Sequence, residues 1–174
     1  QRIRELGVSF RVPTVFPKGK SAETTFERLV EFARQYEQSV QLHISLISTS
    51  EEYRSNSTKI GADFPSIRKG VLKWIQANPA PKGRKPNAVL ILGNDTPADP
   101  RELLNVLPPE LINVGFRPYL ETSNGKSSGL SLLSEEKLRE FRRRFEDCGY
   151  AVSVAIGSTP VEVKFKLVSN STLR

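Results

Sequence analysis

The stretch Ala88-Val-Leu-Ile-Leu-Gly-Asn-Asp-Thr-Pro-Ala-Asp-Pro-Arg-Glu-Leu-Leu104, continuing to Asn113-Val-Gly-Phe-Arg-Pro118, decides the fold. An apolar run stops at Gly93-Asn94-Asp95, a turn signal in which short polar side chains bond nearby backbone. Asp99-Pro100-Arg101-Glu102 then combines an acidic cap, a proline at the first turn and a glutamate at the capping-box position, which predicts a helix start. Leu107-Pro108-Pro109 ends that helix, and a second apolar run, Leu111 to Phe116, follows. Strand, helix and strand at this spacing form one unit of a parallel sheet or barrel. In such folds the chemistry is expected at the carboxyl ends of the strands.

The same beat recurs on both sides. Gly7 to Pro17 is strand-like and ends at Pro17, although Pro13 argues against regular pairing over its whole length. Ser21 is placed to cap a helix in which Phe26, Leu29, Val30, Ala33 and Tyr36 follow helical spacing. From Val40 to Ile47 the pattern alternates, with Val40, Leu42, Ile44 and Leu46 on one face and Gln41, His43 and Ser45 on the other. Ordinary parallel strands are apolar on both faces, so a polar face predicts a lumen that holds something polar. A polar loop follows Ser48-Thr-Ser-Glu-Glu52, and a helix from about Pro65 carries Ile67, Val71, Trp74 and Ile75 on one face. After a Ser/Gly-rich loop, Thr122 to Gly129, a helix opens at Ser134 with Glu135 and Glu136 at its positive end. Tyr150 to Ile156 and Val161 to Val168 are the last strand candidates.

Composition bounds the classes. A length of 174 residues predicts one domain with a real core. No run of 18 apolar residues and no signal-peptide pattern occur, so no membrane association and a cytoplasmic location are expected. A single cysteine, Cys148, excludes an internal disulfide framework and a cysteine-built metal site. The chain has no methionine, and Gln1-Arg-Ile-Arg-Glu-Leu6 reads as the tail of a helix, which points to a fragment of a longer chain. A formal charge of +7 suits an acidic partner such as RNA as well as a solvated basic surface. Neither a Walker loop nor G-x-G-x-x-G is present, which ranks phosphate-loop enzymes last.

The strand ends, read in order, resemble the radical S-adenosylmethionine (SAM) enzymes that methylate carbon 2 of an adenine in ribosomal RNA. Val12-Pro-Thr-Val-Phe-Pro17 is similar to that family's Ile-Ser-Thr-Val-Gly strand. Leu42-His-Ile-Ser-Leu-Ile-Ser48 and Glu51-Glu-Tyr-Arg54 resemble its Val-Ser-Leu-His-Ala strand and Asp-Glu-Leu-Arg continuation. Leu90-Ile-Leu-Gly-Asn-Asp-Thr96 resembles its Leu-x-x-Gly-x-Asn-Asp-Ser turn, one residue shorter. Ile112-Asn-Val114 matches its Val-Asn-Leu strand start. Leu133-Ser-Glu-Glu-Lys-Leu138 and Cys148-Gly-Tyr-Ala-Val152 parallel its Pro-Ser-Glu-Glu helix and Gly-x-x-Val strand. The matches run in order over roughly Gly7 to Val154.

The resemblance implies an α/β fold: a parallel, partial (β/α)6 barrel of radical SAM type, with strands three to six and C-terminal strands in one domain, residues 1–174. It implies SAM as cofactor. The [4Fe–4S] cluster, with its C-x-x-x-C-x-x-C thiolates, is expected only in a missing N-terminal half. It further implies a methyltransferase-like radical SAM enzyme acting on RNA or another substrate, once that half completes the barrel. The alternative is a non-catalytic, degenerate barrel that binds RNA or protein.

The resemblance places Ser45, Leu46, Thr14 and Ile47 at the SAM site. Ser45 matches a SAM-contacting serine, or simply bonds neighbouring backbone. Thr14 matches a threonine, but Pro13 replaces the adjacent serine. Leu46 matches, whereas Ile47 stands where the family has histidine. His43 has no counterpart and reads as a structural histidine. Asn94 and Asp95 read first as turn formers and second as ligands. The family's SAM-binding asparagine falls on Pro118 or Leu120, neither of which replaces it. No cysteine follows Cys148, so the family's methyl-carrier cysteine has no counterpart, and Cys148 reads as a small apolar residue. Basic residues cluster at Lys82-Gly-Arg-Lys85, Arg142-Arg-Arg144 and Lys164-Phe-Lys166; the first is a loop suited to phosphates.

Overall fold

The computed structural model describes residues 10–35, 40–58, 61–79, 84–119 and 131–155. Five strands form one sheet: β1 (Phe10–Thr14), β2 (Val40–Ser45), β3 (Asn87–Leu92), β4 (Asn113–Pro118) and β5 (Val152–Val154). They lie in the order β1-β2-β3-β4-β5, and every pairing is parallel. Helices α1 (Lys20–Gln35), α2 (Glu51–Ser57), α3 (Phe64–Ala77), α4 (Pro100–Leu104) and α5 (Glu135–Asp147) fill the crossovers. The fold is thus the expected α/β parallel array of βα units. The candidate helix before Gly7 and the candidate strand Val161 to Val168 lie outside the described residues.

Side chains of a strand alternate between faces, so the register sorts them into rows. Thr14, Ile44, Ala88, Val114 and Val152 form one row through all five strands. That face meets the helices: Ile44, Ala88, Leu90, Leu92, Val114 and Phe116 are buried in one core. From the helix side Phe26, Val30 and Ala33 of α1, Ile67, Val71 and Trp74 of α3, and Phe141 and Phe145 of α5 complete it. The Phe116 and Phe145 rings meet edge to face at 5.1 Å, a favourable arrangement of their quadrupoles.

Several sequence expectations shift. Helix α1 begins at Lys20, so Ser21 lies in its first turn instead of capping it. Helix α3 is capped by Asp63, whose carboxylate accepts the Ser66 N–H at 2.9 Å; Pro65 is its second residue. The Ser66 hydroxyl first, and then this N–H, hold the Asp63 carboxyl below the usual carboxylate range. Ile75 is exposed and not on the buried face. The segment after Ser50 is not a loop: Ser50 caps α2, accepting the Tyr53 N–H at 3.3 Å. Helix α4 is shorter than expected and gives way to turns from Asn105. Pairing also runs through Pro13, opposite His43; β1 has one neighbour among the described strands, so a missing N–H on its other side costs no ladder bond.

Arg54 is 4% exposed and ties α2 to α3. Its guanidinium donates to the Ala62 carbonyl at 3.0 Å and to Glu51 at 3.3 Å, and lies 4.5 Å above the Phe64 ring. Glu51 in turn accepts the Phe64 N–H at 2.9 Å. The Glu51-to-Arg54 match is therefore a structural staple.

Candidate functional site

The face of the sheet turned away from the helices is polar. Its first row runs Pro13, His43, Asn87 and Asn113, its second Ser45, Val89, Gly115 and Ser153, and its third Ile91 and Arg117. Arg11 of β1, Gln41 and His43 of β2, Asn87 of β3, Asn113 of β4 and Ser153 of β5 line one cavity of about 220 Å³. Four interstrand spacings would hold the edges of a flat sheet roughly 19 Å apart. Residues of all five strands share this small space, as in a sheet that curls with this face inside. The alternation of β2 thus reports a lumen.

The cavity lies at the amino ends of the strands, where Asn87 and Asn113 are first residues. Sequence reasoning pointed to the carboxyl ends and missed this floor. Asparagine at the start of two successive buried strands, where it is normally depleted, was the available signal. Gln41 donates through Nε2 to the Lys85 carbonyl at 2.9 Å, which turns its Oε1 toward His43 Nε2 at 3.0 Å. The imidazole therefore carries its proton on Nε2 and keeps a lone pair on Nδ1. Burial first, then the charges of Arg11 and Arg117, push the His43 pKa below its ordinary value. Gly115 makes room for the floor, since a Cβ there would sit 2.7 Å from Asn87 Nδ2.

At the carboxyl ends the sequence candidates separate into two groups. Ser45 has the parity of the interior face and is half-buried, and Ile47, beyond the end of β2, is half-buried too. Thr14 and Leu46 have the opposite parity. Thr14 Oγ1 accepts the Phe16 N–H at 3.2 Å, and Leu46 is fully buried in the core while its N–H donates to Val89 O at 2.9 Å. Ile47 adopts φ 55°, a left-handed conformation that a β-branched residue rarely takes. Its neighbours explain how the turn is held: Ser48 Oγ donates to Pro97 O at 2.5 Å, and Thr49 Oγ1 accepts the Asp99 N–H at 2.8 Å.

Asn94 and Asp95 are engaged by the segment that leads into α5. Asn94 Oδ1 accepts the Ser134 N–H at 3.2 Å, and its carbonyl accepts from Lys137 Nζ. Asp95 accepts from Ser131 Oγ at 2.7 Å. A Cβ at Gly93 would come within 2.7 Å of the Ser131 carbonyl, so this approach requires glycine. Pro118 is half-buried at the end of β4. Cys148 caps α5 and packs against the core, and Leu120 lies outside the described residues.

Two further cavities, of about 290 and 460 Å³, lie between α1 and α3, remote from the interior face. Among the described residues no group of three or more His, Cys, Asp or Glu could hold a metal ion. No helix among them is long and apolar enough to cross a membrane.

No protein-family model matches the chain. No curated protein matches it either. Among solved structures it is similar to the crystal structure of a radical SAM methyltransferase from Sphaerobacter thermophilus, with a TM-score of 0.53 and 20% identity. The similarity covers 83% of this chain and 39% of that one. The chain thus shares its fold with part of that structure and spans 39% of its length.

Proposed function

We propose that this chain is the SAM-binding, C-terminal portion of a radical SAM barrel whose cluster-bearing half is a separate part of the same product. The observation that carries the proposal is the interior face: five parallel strands curl around a polar lining, with Ser45 near the carboxyl end of β2. The fold of the radical SAM methyltransferase supports it. Within this reading Ser45 is the hydrogen-bonding group for SAM, and Ile47, Val89 and Ile91 supply apolar surface beside it. Thr14 and Leu46, set toward the helix layer, would meet SAM only through backbone groups. Bound SAM supplies the adenosyl fragment of radical chemistry. This chain's own residues bind it, orient it and keep water from it. Asn94 and Asp95 hold the approach to α5 in place.

The finer assignment, to enzymes that methylate adenine carbon 2 of ribosomal RNA, rests on the ordered matches from Val12 to Val152 and on the +7 charge, which suits RNA. The methyl-carrier cysteine of that branch has no counterpart here, and Cys148 is placed as a helix cap. A second reading, a barrel retained as a binding module for RNA or protein, is favoured by Ile47 and by Pro118 or Leu120, which stand where the family has polar side chains.

The test is anaerobic reconstitution of the full-length product with iron and sulfide, with SAM titrated calorimetrically. Iron–sulfur absorbance, SAM binding weakened by Ser45→Ala, and release of 5′-deoxyadenosine are the expected results. No heat of SAM binding and no cluster would sink the proposal in favour of the binding module.

A further inference from the structure

The floor of the barrel is built for an anion, and nothing in the SAM reading uses it. The cavity at the amino ends of the strands is lined by Arg11, Arg84, Asn87, Asn113, His43 and Ser153, among others, and no carboxylate is among its lining residues. Four arginines elsewhere meet carboxylates, while others, Arg68 and Arg117 among them, have no ion pair among the described residues. Arg54 meets Glu51, Arg139 meets Glu135, Arg142 meets Glu146, and Arg144 meets Asp99. Among the described residues neither Arg11 nor Arg84 has such a partner. The net field is cationic, and His43 registers it: Arg11 and Arg117 both disfavour its protonation.

Around the cations stand neutral donors. Asn87, only 7% exposed, extends its amide over Gly115, and Ser153 Oγ lies on the other side of that glycine. Gln41, also in the lining, is occupied by Lys85 and by the ring, so it holds His43 in place and offers the cavity no free donor. Guanidinium groups, amides and a hydroxyl converging on a space of about 220 Å³ match the tetrahedral oxygens of a phosphate, which takes charge-assisted bonds from several directions.

We propose that the amino-terminal mouth of the barrel is a phosphate site, with Arg11 and Arg84 as the cationic clamp and Asn87, Asn113 and Ser153 as neutral donors. The site is distinct from the SAM position, which lies toward the other end of the strands. The ligand is either free inorganic phosphate or the phosphate of a nucleotide chain.

His43 is the only histidine, so its imidazole C2 proton gives one resonance that reports on the cavity directly. The full chain is titrated with inorganic phosphate, with a 5′-phosphorylated RNA trinucleotide, and with sodium chloride at matched ionic strength. Phosphate is expected to move the His43 resonance saturably and to raise its titration midpoint, since a bound anion favours imidazolium. Chloride should not saturate. Arg84→Gln and Arg11→Gln should each weaken phosphate about tenfold, the loss expected for one charge-assisted hydrogen bond. Arg84→Lys, which keeps the charge, should lose less, and circular dichroism checks that each variant is folded. Saturation with the trinucleotide at much lower concentration would assign the site to nucleic acid, whereas equal affinity assigns it to free phosphate. A response identical to chloride, or one unchanged when both arginines are replaced, would overturn the proposal. Neither outcome depends on whether SAM binds.

Discussion

His43 shows how one residue reads out its surroundings. Its ring is held by Gln41 at 3.0 Å, and burial, Arg11 and Arg117 all act against its charged form. An unfolded chain gives the imidazole a pKa of about 6.5, so in the window between the lowered folded value and 6.5 the unfolded state holds the extra proton. Stability therefore falls as pH drops through this window and is fully recovered above it. An NMR titration of the single imidazole should give a midpoint below about 6.5, and Arg11→Gln should move it upward. His43→Asn should flatten the pH dependence of unfolding across the same range. A midpoint that ignores Arg11 would remove that residue from the cause. The polar parity of Gln41, His43 and Ser45 was legible in the sequence because one strand suffices to show it. That Thr14 has the opposite parity was not, because β1 carries polar residues at both Arg11 and Thr14 and only its register with β2 fixes the faces.

At the scale of elements, local chemistry was legible where it is self-contained. Asp99 accepts the Arg101 N–H at 3.0 Å and opens α4 as its sequence implies. Helix α2 escaped notice because Ser50 caps a segment with too little apolar periodicity, and its stability comes from Arg54 reaching Ala62 eight residues on. The joint between the β2 and β3 loops was equally hidden, since its partners are about fifty residues apart. Thr49 is 1% exposed; its hydroxyl accepts the Asp99 N–H at 2.8 Å and donates to Glu102 at 3.1 Å. Thr49→Val keeps the shape and removes both bonds, leaving the part-buried Asp99 N–H without this acceptor. The expected cost is about 1–3 kcal/mol. It should appear as a lower denaturation midpoint with an unchanged slope. An unmoved midpoint would mean that water replaces the hydroxyl and that the two loops are not joined through it.

For the whole molecule, the repeated strand–helix beat predicted a parallel sheet or barrel, and the five strands are parallel and lie in sequence order. A polar lumen was expected from the alternation of β2 and a barrel from the resemblance, but which residues meet inside was not legible, because Arg11 and Ser153 come from the two edge strands. A curled sheet of five strands is an open arc, and among the described strands β1 pairs only with β2. An unpaired edge leaves its outward N–H groups to water, and Pro13 shows that the edge tolerates a residue with none. If further βα units precede this chain, as proposed, they extend the sheet from β1 and bond those groups. Hydrogen exchange of the peptide covering Phe10–Thr14 decides the point. In the 174-residue chain the amides facing away from β2 should exchange quickly, while those of β3, flanked on both sides, remain protected. In a product that includes the upstream segment, the β1 amides should slow toward the β3 level. Equal, fast exchange of β1 in both would show that the barrel is not continued on this side. It would also turn the interior face, with Ser45 at one end and His43 near the other, into an open cleft instead of half a cofactor chamber.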